Sequence, residues 1–232
     1  KFEYTAAWID CVSKGSNFAR GIFYRGNHSQ SNQEDYNNKK IKLSVPFNFP
    51  NFALNKLSML AFNQFWYHKQ LSKKVVKKVH YNPFFFPLDG VLNWNRIYGK
   101  RGFFQFQCVL PPDGAKDVLE DLILNAADAG KASFLAVIKQ FGNLKSPGMM
   151  SFPRKGTTLT MDFPNSGDAT KKLMQSLYNK VIDAGGSIYP AKDALLTEQM
   201  FKRCYPMWNE FSKFIDPNFS SSFWRRVMGV AK

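Results

Sequence analysis

Between Gly102 and Ala129 the hydrophobic period changes from two residues to about 3.6 across one short turn. Phe104, Phe106 and Cys108 alternate with Gln105 and Gln107, the spacing of a strand with one apolar and one polar face. Pro111-Pro112-Asp113-Gly114 then turns the chain. Val118, Leu119, Leu122, Ile123 and Ala126 trace one apolar stripe over Ala115 to Ala129, and Gly130 stops the helix. A one-sided strand followed by a one-sided helix can bury both faces only as a sheet with helices packed on it.

The rest of the chain extends this layout. Tyr4 to Cys11 and Ala19 to Tyr24 read as an antiparallel pair, being short, aromatic and β-branched, with Gly15, Ser16 and Gly26 beside them. Gly26 to Asn38 is polar and is expected to be a mobile surface loop. Within Phe52 to Gln70, the apolar residues Leu54, Leu57, Leu60, Ala61 and Phe65 predict a helix. Ser133 to Phe141 and Thr157 to Phe163 read as strands. Asp168 to Ala184 reads as a second amphipathic helix through Leu173, Leu177 and Val181, ending at Gly185-Gly186. The expected class is α+β, an antiparallel sheet flanked by helices. From Ser187 the character changes to a brief strand, Ile188-Tyr189, and short helices around Thr197 to Cys204, Trp208 to Phe214 and Ser222 to Met228. Two units are expected, residues 1–186 and a short helical segment, 187–232.

The 232 residues carry a formal charge of +15, so the surface is expected to meet something anionic: nucleic acid, a phospholipid face or a phosphorylated substrate. Lys69, Lys73, Lys74, Lys77 and Lys78 form the densest cluster, interleaved with Val75, Val76 and Val79, and read equally as a solvated edge or a membrane-facing one. No apolar run is long enough to span a membrane. Cys11, Cys108 and Cys204 lack metal-ligand spacing and read as reduced, structural residues. His28, His68 and His80 are equally scattered, and no metal site is expected. The chain opens on strand-like residues without Met, so its true start is expected to lie elsewhere.

No dinucleotide fingerprint, phosphate-binding loop or nucleophile elbow is present. Polar residues do recur on strands beside aromatic ones: Gln105 and Gln107, Lys139 before Phe141, Thr158 and Thr160, then Tyr189 and Lys192. Such a set can line a pocket for a polar ring with an apolar tail. The pattern leaves Lys139 either buried for a purpose or at a strand end in water.

Eight short segments carry a resemblance when taken in order: Ala7-Trp8-Ile9-Asp10, Phe86-Pro87-Leu88-Asp89, Trp94-Asn95-Arg96-Ile97-Tyr98-Gly99, Gly102-Phe103-Phe104-Gln105-Phe106-Gln107, Ser133-Phe134-Leu135, Lys139-Gln140-Phe141-Gly142, Ser151-Phe152-Pro153 and Tyr189-Pro190-Ala191-Lys192-Asp193. Over nearly its whole length the chain resembles the decaprenylphosphoryl-β-D-ribose 2'-oxidase family, flavoenzymes of the vanillyl-alcohol oxidase superfamily. The resemblance implies the substrate-binding (cap) domain of an FAD-linked oxidase, lacking its first strand, with 187–232 returning to an FAD-binding half that binds most of the cofactor and is absent from this sequence. It implies hydride transfer from a sugar hydroxyl of a polyprenyl-phosphoryl pentose to flavin, and an inactive, self-associating fragment when isolated.

Residue by residue, the resemblance assigns Trp8, Leu88, Gln105, Gln107, Lys139, Phe141, Thr158 and Thr160 to substrate binding, and Tyr189, Ala191 and Lys192 to the flavin. Lys192 is the expected catalytic cation, stabilising negative charge as the sugar hydroxyl loses its proton, or else a contact to the flavin, and Lys139, also counted as catalytic, is expected to orient the substrate with Gln105 and Gln107. Thr158-Leu159-Thr160 departs from the Asn-x-Cys of mycobacterial members, and Phe85 replaces a Tyr. The resemblance further implies a lipid-linked or free sugar as ligand, a short-chain reductase as partner for a second half-reaction, and a location peripheral to the bacterial inner membrane or cytoplasmic. Aldonolactone and alditol oxidases are the enzymatic alternative. A basic module binding nucleic acid or membrane is the alternative of another class, disfavoured because Trp8, Phe104, Phe106 and Phe141 fall in strands that read as buried.

Overall fold

A computed structural model describes residues 2–30, 43–130 and 135–229. In chain order the elements are β1 (Tyr4–Ile9), β2 (Gly21–Gly26), β3 (Leu43–Ser44), α1 (Lys56–His68), α2 (Tyr81–Phe85), β4 (Val91–Leu92), β5 (Phe103–Leu110), α3 (Ala115–Asp128), β6 (Ala136–Phe141), β7 (Gly156–Pro164), α4 (Asp168–Asp183), β8 (Ser187–Ile188), α5 (Glu198–Cys204), α6 (Trp208–Ser212) and α7 (Ser222–Val227). Short 3-10 turns occupy Pro87–Gly90, Trp94–Tyr98 and Pro190–Lys192. Residues 31–38 of the expected polar loop, and Ser133 and Phe134 of the expected strand, lie outside the described residues.

Six strands form one sheet in the order β2-β1-β6-β7-β5-β8, and every neighbouring pair is antiparallel. The class is α+β, as the sequence predicts. Strands β5 and β6, joined through α3, are separated by β7; strands β7 and β8, joined through α4, are separated by β5. These are two interlocked split β-α-β units, and the β1–β2 hairpin widens the sheet beyond β6. Leu43–Ser44 and Val91–Leu92 make a separate two-residue parallel ladder.

Alternation along the strands sends Phe106, Cys108, Leu159, Met161, Phe163 and Ala136 to one side, where they pack with Leu122, Ile123, Ala126, Met174, Leu177, Tyr178 and Val181 of α3 and α4. The apolar stripes of both helices therefore meet the apolar face of the sheet. Gly156 is required where β7 begins beside the end of β5. Its φ is 152°, and a Cβ there would come within 2.1 Å of the Leu110 carbonyl oxygen.

The segment from Ser187 onward packs into the same core. Strand β8 pairs with β5, and Leu196, Phe201, Cys204, Tyr205 and Val227 are all at most 1% exposed. The Tyr205 hydroxyl donates to the Ile188 carbonyl at 2.8 Å, and Arg226 donates to Leu196 O and to Asp193, both at 2.7 Å.

Helix α1 departs from its predicted stripe. Leu57 and Phe65 are exposed, and the side turned inward carries Met59 and Asn63. Its start is set by Asn55, whose side chain accepts from the Leu57 and Ser58 amides while Ser58 Oγ accepts from the Asn55 amide. Its rotation follows from Asn63, which reaches the buried Asp10 after β1. A polar contact, invisible to hydrophobic periodicity, decides which side faces in.

Candidate functional site

The face of the sheet opposite α3 and α4 is built by strand register. Gln105 pairs with Asp162, Gln107 with Thr160 and Val109 with Thr158 across β5 and β7. Thr160 pairs with Val137 and Thr158 with Lys139 across β7 and β6, while Val137 lies opposite Trp8 and Lys139 opposite Ala6 across β6 and β1. Because side chains alternate with period two, Trp8, Gln105, Gln107, Lys139, Phe141, Thr158 and Thr160 all share this face. The sequence singled out each of them, but four strands far apart in the chain are needed to bring them together.

The residues assigned to the flavin border the same face. The Tyr189 amide donates to the Gln107 carbonyl at 2.9 Å, continuing the β8–β5 ladder and turning Tyr189 to the side of Gln107. Its ring stacks on Phe152 at 4.6 Å, and Phe152 meets Phe141 edge-on at 6.1 Å. The turn that follows is closed by the Lys192 amide donating to Tyr189 O at 3.1 Å. Ala191 is exposed and Lys192 half-buried. Leu88 is half-buried in the turn after α2, whose Phe85 packs edge-on against Tyr4 at 4.9 Å. Leu88 lies on no strand of the sheet.

Lys139 is exposed although it lies within β6 rather than at its end. Its ammonium still counts electrostatically. Burial lowers the pKa of Lys192, Lys139 lowers it further, and Asp162 acts in the opposite direction.

Asp162 is the residue that sequence reasoning missed. It is completely buried and accepts from Gln105 Nε2 at 3.1 Å through Oδ1, while Oδ2 has no hydrogen bond of normal geometry. Burial pushes its carboxyl up to about 6, against the pull of Gln105, Lys192 and Tyr98. Tyr98 is placed over this part of the sheet by stacking on Phe103 at 4.3 Å. A second buried polar atom on the face, Thr158 Oγ1, also lacks a hydrogen-bond partner. The alternation Phe104-Gln105-Phe106 had a counterpart in Met161-Asp162-Phe163, a carboxylate between two apolar residues that could have drawn notice.

These residues form a face rather than an enclosed pocket. Two clefts, of about 380 and 280 Å³, lie elsewhere: one between α3 and the sheet beside Ile138 of β6 and Thr157 of β7, the other in the β6–β7 connection beside Lys145, Arg154 and Lys155. Among the described residues no cluster of His, Cys, Asp and Glu could hold a metal ion, and no helix is long and apolar enough to cross a membrane.

No family model matches the chain. It is 31% identical over 242 aligned residues to the decaprenylphosphoryl-beta-D-ribose oxidase of Mycolicibacterium smegmatis (strain ATCC 700084 / mc(2)155), covering 97% of this chain and 51% of that protein. It is 30% identical over 143 residues to an uncharacterized protein in the mprA 5' region of Streptomyces coelicolor, covering 59% of this chain and 38% of that one. These matches support a distant relation to the oxidase, of whose length the chain spans about half.

Proposed function

We propose, from the distant relation to an oxidase of decaprenylphosphoryl-β-D-ribose, that this chain supplies the substrate-facing part of a flavin-linked oxidoreductase that oxidises a sugar hydroxyl of a polyprenyl-phosphoryl pentose. The observation that carries the reading is the common face: seven polar and aromatic residues from four strands, bordered by a half-buried lysine. Two buried polar atoms that lack a hydrogen bond of normal geometry, Asp162 Oδ2 and Thr158 Oγ1, lie on that face and fit a site completed by a polar ligand or by a second body.

Tyr189, Ala191 and Lys192 are the residues that would meet a flavin adenine dinucleotide, which supplies a hydride acceptor when bound. The Lys192 ammonium would stabilise negative charge on the sugar oxygen as its proton passes to water at the open side of the face, with strength gained from the partial burial of the lysine. Gln105 and Gln107 orient hydroxyls by donating and accepting hydrogen bonds, and Lys139 offers a second cation at the open side. Trp8, Leu88 and Phe141 provide apolar contact, and Thr158 and Thr160 set the polarity beneath the ring. The FAD-binding half and a short-chain reductase for a second half-reaction belong to the same proposal, as does the division of the chain at residue 186.

A peripheral contact with the bacterial inner membrane draws support from the exposed Leu71, Val75, Val76 and Val79 among five lysines. An aldonolactone or alditol oxidase would use the same face without the lipid. The test is a visible absorption spectrum of the chain produced together with its proposed flavin-binding half. Bleaching of a flavin band by a polyprenyl-phosphoryl pentose, lost in Lys192→Met, is the expected result. Bleaching by a free aldonolactone alone would favour the alternative, and a reconstituted protein without a flavin band would overturn the oxidase reading.

A further inference from the structure

We propose that Asp162 is a positioning residue for Gln105: its buried carboxylate takes the side-chain nitrogen of Gln105, so that Gln105 presents its carbonyl oxygen to the polar face as a fixed acceptor for a ligand hydroxyl. The inference rests on the oxidase reading for the identity of that ligand, a pentose.

The geometry begins with the register. Asp162 on β7 stands opposite Gln105 on β5, and Gln105 Nε2 donates to Asp162 Oδ1 at 3.1 Å. The two ends of a glutamine amide differ little in shape, so the partner decides which way the amide turns. A carboxylate has no hydrogen to give. At pH 7.5 the Asp162 carboxyl, pushed up to about 6 by burial, is ionised and accepts only, which assigns the nitrogen of Gln105 to Asp162 and leaves the oxygen for another partner. Among the described residues nothing donates to Gln105 Oε1, and that oxygen is not sealed from solvent.

Gln107, two residues along β5 on the same face, is the contrast. Its side-chain amide makes no hydrogen bond to a described residue, and its partner in register is Thr160 rather than a carboxylate. Gln107 can turn to meet a donor or an acceptor, whereas Gln105 is committed to a donor.

The choice of aspartate at position 162 fits this role. The side chain is fully buried, Oδ2 has no hydrogen bond of normal geometry, and an apolar pair would fit the two strands at lower cost. Asparagine would spare the charge but could pair with Gln105 in either sense, since each amide both donates and accepts. A group that accepts only removes the ambiguity.

Two measurements test the role. In the labelled chain at pH 7.5, NMR is expected to show a scalar coupling across the hydrogen bond from Gln105 ¹⁵Nε2 to Asp162 ¹³Cγ, and its absence overturns the role whatever the ligand does. Calorimetry on the chain produced with its proposed flavin-binding half then compares a short-chain polyprenyl-phosphoryl pentose with analogues that each lack one hydroxyl. Loss of one particular hydroxyl is expected to weaken binding about tenfold in the parent, and by less than about threefold in Asp162→Asn and in Gln105→Met. The double variant should discriminate as Gln105→Met does, because Asp162 acts through Gln105. A merely structural Asp162 would leave the discrimination intact in Asp162→Asn, and that result overturns the role, as does equal affinity of the parent for every analogue. A coupling that is present when no pentose binds sinks the oxidase reading alone.

Discussion

Asn63 of α1 donates its side-chain amide to the Asp10 carboxylate at 2.8 Å, and both side chains are completely buried. Asp10 also accepts from the Ser13 hydroxyl at 2.7 Å and from the Val12 and Ser13 amides at 3.1 Å, and pairs with Arg20 at 3.2 Å. It is the knot that ties α1 to the end of β1. Asp10→Ala strands Arg20 and the two amides and is expected to cost about 3 kcal/mol, whereas Asn63→Ala removes one of several donors and should cost about 1–2 kcal/mol. Urea denaturation of both variants checks the order; equal losses would mean that the carboxylate is not the centre of the cluster.

Two buried carboxyls, those of Asp10 and Asp162, drive stability in opposite directions with pH. Burial pushes Asp10 up, but its hydrogen bonds outweigh this and hold it below the usual range, so its contribution is present above the unfolded pKa and lost as pH falls through the lowered folded one. Asp162 is raised from 3.8 to about 6, so its contribution is full below 3.8 and is lost as pH rises through about 6. Asp162→Asn is expected to remove the decline between those values, a gain on the order of 3 kcal/mol relative to the parent above pH 6. Thermal melts from pH 4 to 8 would expose the difference; parallel curves for the two proteins would contradict it.

Phe152 is 4% exposed and joins Tyr189 to Phe141. Truncation to Ala deletes both ring contacts and leaves a cavity, for an expected loss of about 3–4 kcal/mol. Phe152→Leu should lose roughly half as much. Guanidinium unfolding distinguishes the two, and a loss under about 1 kcal/mol in the Ala variant would show that the aromatic cluster does not anchor Tyr189.

At Gly156 a methyl group would enter the space of the Leu110 carbonyl. Gly156→Ala is expected to separate the start of β7 from β5 at a cost above about 3 kcal/mol. Hydrogen exchange at Leu110 and Thr157, which pair across this point, would rise. Unchanged protection there would mean that the strands absorb the clash by sliding.

Cys11, Cys108 and Cys204 form no disulfide and are buried, with the Cys108 thiol pushed up to about 12 by burial. All three are expected to resist a thiol reagent in the native protein at pH 8 and to react in urea. Stoichiometric labelling without denaturant would place at least one of them at a surface.

The sequence alone determined the class of fold and most of its elements, because both depend on local periodicity. The alternation in Gln105–Cys108, the stripes of α3 and α4 and the glycines that end them are each contained within a few consecutive residues, and most residues on the polar face were nameable for the same reason, Trp8 only through the resemblance. Which of them meet was decided by tertiary structure, since the register of four strands sets Lys139 beside Thr158 and Gln105 beside Asp162. The inward side of α1 was settled by one amide reaching a carboxylate 53 residues away. Asp162 was hidden for that reason too: in sequence it is an ordinary polar position in a strand, and its buried charge exists only once Gln105, Tyr98 and Lys192 have been folded around it.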